Sequence, residues 1–322
     1  NRIGVNGGLF YDDITISAGT HFDRQFYNFY GYSTDSVRSF AEDSLGVENE
    51  QIFNRLGLDF SISKKDPLDY LSFDLGLDFE HLNDNLQQSE NWLEIDFDAN
   101  YDLNIGKEIK LQTRYLLANY ALDTFSNTRH LFEIAPQYEM ESGDFLFSAG
   151  LKASYESDTN LNGDFHVYPL GRAEYRGMDD KLIPYIGIGG GIQANGLNTF
   201  ANQNPWLGLG SVLSHSNRQI EIFGGLKTRI IKNTEINAMA SFSTIDNLPL
   251  FINDPFEESK FLILYAENAS VLNLHLDATS QLSERFGLGL GFDFWEYGLN
   301  DSLEAWHLPG IESHVYANYN IA

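Results

Sequence analysis

The chain has 322 residues, with 46 Asp and Glu against 20 Lys and Arg, a formal net charge of −26 and no cysteine. A phosphate backbone needs a basic footprint, so this balance excludes nucleic acid as a partner. The absence of cysteine excludes disulfides, thiolate metal sites and thiol nucleophiles. No apolar run reaches the length of about 18 residues that a membrane-spanning helix requires, while 24 Phe and 17 Tyr are far too many for a disordered chain.

Asn1 is not methionine and no signal peptide precedes it, so the chain reads as a mature or trimmed product. Along the chain the hydrophobic period is two. Strands are predicted at 1–10, 14–30, 51–63, 70–82, 92–103, 109–120, 131–140, 145–156, 165–176, 181–195, 218–231, 235–246, 260–280, 285–298 and 306–321. The fifth shows the pattern plainly. Leu93, Ile95, Phe97, Ala99, Tyr101 and Leu103 share one parity, and Glu94, Asp96, Asp98, Asn100 and Asp102 share the other. Alternation of this kind gives a strand one apolar and one polar face, whereas a helix would scatter the carboxylates around its axis. The strands are longer than the 5–6 residues usual in globular proteins, and of the length a tilted strand needs to cross a bilayer.

The connections alternate as well. Tyr11–Asp13, Lys64–Asp69, Asn104–Glu108, Glu141–Asp144, Gly177–Asp180, Lys232–Thr234 and Gln281–Glu284 are short. Gly31–Glu50, Asn83–Asn91, Ala121–His130, Ser157–Asp164, Gly196–Asn217, Asn247–Ser259 and Leu299–Ala305 are longer. Tight turns on one side and long loops on the other describe an all-β fold: a transmembrane, antiparallel, up-and-down β-barrel of the bacterial outer membrane. The apolar stretch 206–213 is assigned to a loop, because a strand there would break the alternation. Residues 1–322 read as one barrel domain, incomplete at one or both ends. Fifteen strands is an odd number where bacterial single-chain barrels are even, so 16 or more are expected in the full protein.

Three stretches carry a resemblance: "PYIGIGGGIQANGLNTFANQNPW" (184–206), "ESKFLILYAENASVLNLHLDATSQLSERFGLGLGFDFWEY" (258–297) and "AWHLPGIESHVYANYNIA" (305–322). They resemble the barrel region of TonB-dependent-receptor-like, porin-like outer-membrane proteins of the Bacteroidota, over about half the chain. The resemblance implies transport of a solute across the outer membrane. The alternative is a non-transporting barrel subunit of a larger assembly, secretion or uptake complex. Outer-membrane lipid and lipopolysaccharide are the implied surroundings, with other envelope proteins as candidate partners.

If the apolar parity faces lipid, the other parity lines the lumen. The candidate lumen residues form an acidic group, Asp74, Asp78, Glu80, Glu94, Asp96, Asp98 and Asp102. A basic group follows it, with Lys110, Arg114, Lys152, Arg172, Lys227 and Arg229. Opposed charged walls bias which ions enter a pore. Asn273, His275 and Asp277 share the inward parity and are the nearest approach to a catalytic constellation. Same-strand neighbours sit side by side and no G-x-S-x-G motif is present, so no enzyme activity is expected. No cofactor or metal is expected either. Carboxylates about 6.6–7 Å apart along one strand face are too widely spaced to surround a single Ca²⁺. Gly187, Gly189, Gly190 and Gly191 lie inside a strand, so they read as small residues on an inner face and not as a phosphate loop. Tyr70, Trp92, Tyr101, Tyr120, Tyr138, Tyr155, Tyr175 and Trp306 are expected near the membrane–water interfaces. Pro136 and Pro169 lie mid-strand, where a missing N–H should interrupt the ladder.

Overall fold

The computed structural model describes residues 2–28, 50–65, 69–123, 125–159, 163–177, 179–229, 231, 233–255, 257, 259–300 and 303–320. Its first ten strands are β1 (Arg2–Tyr11), β2 (Ile14–Asn28), β3 (Glu50–Lys64), β4 (Leu71–Asp84), β5 (Gln88–Asn104), β6 (Lys107–Leu122), β7 (Phe125–Ser142), β8 (Phe145–Asp158), β9 (Asp164–Tyr175) and β10 (Leu182–Gln193). A short helix, α1 (Leu197–Gln203), leads to β11 (Ser216–Thr228) and β12 (Thr234–Asp246). A small hairpin, β13 (Leu248–Asn253) and β14 (Phe261–Ala266), precedes β15 (Ala269–Gln281), β16 (Phe286–Gly298) and β17 (Ile311–Tyr319). Fifteen strands form one antiparallel sheet in chain order, and β13 and β14 form a separate two-stranded sheet.

The fifteen sheet strands coincide with the fifteen predicted ones, with three corrections. The predicted strand 260–280 is broken. The β12–β15 ladder ends at Ile245–Ala269, and the β13–β14 ladder begins at Leu248–Ala266. Between them Asn247 and Asn268 stand at φ 56° and 51°. Asn tolerates this left-handed conformation better than most residues, and the Asp246 carboxylate accepts the Asn268 N–H at 3.0 Å. The hairpin therefore bends out of the main sheet at facing asparagines. Second, the expected loops Asn83–Asn91 and Ala121–His130 are mostly strand. β4 and β5 are joined through residues 85–87, and β6 and β7 through 123–124. Third, the prolines do not break the sheet. Pro136 falls where the β7–β8 ladder pauses between Ile134–Ala153 and Gln137–Gly150. Pro169 lies beyond the β9–β10 ladder, whose last pair is Gly171–Ile188.

One face of the sheet carries α1 and the small hairpin, and is called the inner face below. Leu197, Phe200 and Ala201 recur at helical spacing and are buried. They join Phe53, Leu82, Tyr120, Leu207, Leu213, Phe251 and Ile263 in one apolar cluster. Hydrogen bonds tie the two inserted segments together: Gly208 N–H to Phe261 O at 2.7 Å, and Phe261 N–H to Trp206 O at 2.8 Å. They form a cap over the end of the sheet opposite the short turns.

The cap shows that the sheet curls. Seven strand spacings separate β3 from β10, which in a flat sheet is about 34 Å. The five residues from Gln193 to Asn198 reach at most about 18 Å. Yet Arg55 on β3 donates from Nε to the Asn198 side-chain oxygen at 2.6 Å.

β4 and β6 each change polarity along their length. On β6 the inner side chains run Lys110, Gln112, Arg114 and then Leu116, Ala118, Tyr120, the last three buried. On β4 the outer side chains run Leu71, Phe73, Leu75, Leu77, Phe79 and then His81 and Asn83. The outer face is thus apolar along a band and polar beyond it. The inner face is charged along the band and apolar beneath the cap.

Candidate functional site

The inner face of β2–β7 is assembled by register. Directly opposed residues form rows across the strands. Asp59, Asp78 and Glu94 make one row, and His21, Gly57, Glu80 and Trp92 make the next towards the cap. Asp74 faces Asp98, and Asp96 faces Arg114. Like charges directly opposite one another destabilise a sheet, so this arrangement concentrates negative charge at a structural cost.

Four of the six basic residues pair with carboxylates close at hand. Arg114 meets Glu94 at 2.6 Å, Lys110 meets Glu108 at 2.6 Å and Glu139 at 2.9 Å, and Arg229 meets Glu235 at 2.7 Å. Arg172 pairs with Glu174 at 3.0 Å and stacks 4.5 Å over the Tyr185 ring, which Lys227 also approaches at 5.5 Å. Lys152 lies against Gly191. Asn273, His275 and Asp277 are brought together, and Asp293 of β16 joins them. His275 Nδ1 lies 2.9 Å from Asp293 and Nε2 lies 2.6 Å from Asp277, while Asn273 donates to Asp293 at 3.3 Å. The ring bridges two carboxylates across strands, a link that same-strand spacing did not reveal. No nucleophile accompanies it in these contacts, and among the described residues no group of His, Asp and Glu could hold a metal ion.

The residues that dock the cap were not singled out from sequence. Arg129 on β7 is 2% exposed and pairs with Glu90 on β5, 1% exposed, at 2.8 Å. It also donates to the Asn195 carbonyl at 2.5 Å. Arg55 reaches Asn198, Asn202 at 3.1 Å and Asp23 at 3.4 Å. The loop side of the cap ends at His215, whose Nδ1 accepts the Asn195 N–H at 3.1 Å. Burial, reinforced by the Arg129 and Arg114 charges, pushes the His215 pKa down to about 3. Its Nε2 has no partner, and it lines a cavity of about 110 Å³ with Arg129, Glu156, Asp158, Asp164 and Ser214. Tyr265 of β14 accepts the Ser214 N–H at 2.8 Å, and burial raises its phenol pKa to about 12.

Two aromatic expectations are corrected here. Tyr120 is buried on the inner face and donates to Gln88 at 2.9 Å. Trp92 packs against Gly196 at the start of α1 and donates to Glu94 at 3.1 Å. Tyr70, Tyr101, Tyr138, Tyr155 and Tyr175 are exposed. Gly189 and Gly191 flank a β-bulge, with Gly191 at φ 156°, and the extra residue turns Ile192 into the buried cluster with Leu116, Leu131 and Tyr168. The expected loop 206–213 carries no strand, but it folds onto the inner face. Nearly all of Gly31–Glu50 lies outside the described residues.

No protein-family model and no curated protein sequence matches the chain. Solved structures do match. The copper transporter OprC superposes with a TM-score of 0.68 at 11% identity, covering 100% of this chain and 58% of that one. The FrpB iron transporter of Neisseria meningitidis (F3-3 variant) gives 0.66 at 9% identity, covering 92% and 52%. The ferric yersiniabactin uptake receptor FyuA of Yersinia pestis gives 0.62 at 12% identity, covering 99% and 56%. The chain thus spans somewhat more than half the length of these proteins. At such identities the likeness shows the fold alone: the chain has the outer-membrane β-barrel fold of these transporters and receptors.

Proposed function

We propose that the chain is the barrel wall of a TonB-dependent-receptor-like protein of the bacterial outer membrane, which carries a solute across that membrane. The observation that carries this reading is the polarity reversal. An apolar outer band suits lipid and lipopolysaccharide, while the charged inner face suits an aqueous path closed at one end by a resident cap. On this reading residues 1–322 form a single barrel domain, and the inward residues Asp74, Asp78, Glu94, Asp96, Asp98, Lys110, Arg114, Lys152, Arg172, Lys227, Arg229, Asn273, His275 and Asp277 line the lumen. The fold shared with metal and siderophore transporters supports it, and a source among the Bacteroidota rests on the sequence resemblance.

The test compares the native full-length protein with a variant in which residues 249–265 become a short Gly-Ser linker. Both are purified from outer membranes into planar bilayers. The native protein is expected to stay closed, and the variant that has lost the hairpin half of the cap to conduct. Absence of conductance from both, together with stoichiometric copurification of other envelope proteins, would replace transport with the role of a barrel subunit in a larger complex.

A further inference from the structure

Beneath α1 lies a cavity of about 290 Å³, lined by His21, Asp78, Phe79, Glu80, Trp92, Asn198 and Thr199. Its walls come from distant parts of the chain. β2, β4 and β5 supply the floor, and the first turn of α1 supplies the roof. Larger clefts, of about 710 and 620 Å³, lie among the short turns at the other end and are not covered by the cap.

Three features of the cavity point to one kind of occupant. The first is size: the volume is at the lower end of small-molecule sites, which are about 300–1,000 Å³, and the His21 ring, seated over Gly57 directly across the strand pair, forms one wall. The second is charge. Asp78 and Glu80 both face the cavity, and Asp78 is opposed on both sides by carboxylates, Asp59 and Glu94. The hydrogen bonds of the nearby Arg55 go to Asp23, Asn198 and Asn202 and those of Arg114 to Glu94, so Arg55, Arg2 and His21 act on Glu80 through charge and not through direct ion pairs. The third is the Trp92 indole, an aromatic wall beside the two carboxylates. Carboxylates beside an indole recognise a cation that is partly stripped of water, and tryptophan provides the best cation–π surface. Thr199 adds a hydroxyl oxygen that can accept a ligand N–H, while the Asn198 side-chain oxygen is already taken by Arg55 and Asn202.

We propose that this cavity binds a small organic cation, a guanidinium or an alkylammonium group, held by Glu80 and Asp78 against Trp92 under the roof of α1. The proposal rests on the transport reading only for the route by which the ligand arrives. A single inorganic ion is the poorer occupant, because the site offers an indole where a hard cation takes oxygen ligands.

The experiment is calorimetric titration of the full-length native protein in detergent with agmatine and with choline, using Ca²⁺ and glutamate as controls. One-to-one binding of at least one organic cation is expected, with no binding of glutamate. Glu80→Gln and Asp78→Asn, both nearly isosteric, should each weaken binding at least about tenfold. Trp92→Phe should weaken it less than Trp92→Leu. Unchanged melting temperatures for the two isosteric variants exclude misfolding. Failure of both probes to bind overturns the proposal. So does binding that survives all four substitutions, or Ca²⁺ binding through Asp78 and Glu80 when neither organic cation binds. Binding with no conductance from either the native protein or the variant lacking residues 249–265 would leave this site standing and sink the transport reading. Conductance of that variant with no binding by the native protein would do the reverse.

Discussion

At the scale of single residues, glycine is placed where a neighbour takes its space. Gly57 lies under His21, Gly187 under Phe223, Gly225 under Tyr185, Gly289 under Tyr316 and Gly291 under His314, each ring on the directly opposed residue. The sequence shows Gly187 as a small inward residue, but the ring that fills each space is known only once register is set. Gly150 is the tightest case against backbone. A Cβ there would stand 2.4 Å from the Pro136 carbonyl oxygen. Gly150→Ala is therefore expected to destabilise the barrel by about 1–3 kcal/mol, since backbone must shift, and melting in detergent measures it. His215 gives a pH prediction. Its pKa falls from 6.5 to about 3 on folding, so between those values the unfolded chain binds a proton that the folded one does not. Its contribution is complete above pH 6.5 and is lost as pH falls towards 3. His215→Asn, whose side-chain oxygen can still accept the Asn195 N–H, should flatten the fall in melting temperature between pH 7 and pH 4.

At the scale of elements, the cap is held by polar anchors within an apolar cluster. Glu90 and Arg129 fall in segments that read as loops from sequence, because the alternation reverses there. Beyond the apolar band the outer face turns to Asn83, Asn91 and Asn119, while the inner face turns to Leu82, Leu116 and Tyr120. A period-two reading keyed to the band loses the strands at that point, although their ladders continue. Removing one member of a buried pair leaves an uncompensated charge, at a cost of about 3–5 kcal/mol. Arg129→Met should therefore release α1, and Glu90→Met with Arg129→Met should be milder than Arg129→Met alone. Protease sensitivity within residues 194–215 reads the release. Greater damage from the double variant than from Arg129→Met would count against a buried charge as the cause.

At the scale of the whole molecule, β1 and β17 each pair on one side only among the described residues. In an up-and-down antiparallel sheet of fifteen strands the first and fifteenth run in the same direction. Closing them on each other would need a parallel pair, which an all-antiparallel barrel does not contain. Cysteines introduced at Val5 and Val315, in a chain with none of its own, should not form a disulfide in the native full-length protein. Rapid oxidation of that pair would show direct closure. Alternating polarity in the sequence by itself determined the fifteen strands, their order and the face that is apolar, because a one-residue slip would bury charge in lipid. It also assigned 206–213 to a loop. It did not determine where that loop goes. The inward fold of α1, the bend at Asn247 and Asn268, the Arg129–Glu90 pair and the cavity beneath the cap depend on contacts between strands far apart in the chain. No local period records such contacts, and only curling of the sheet brings them together.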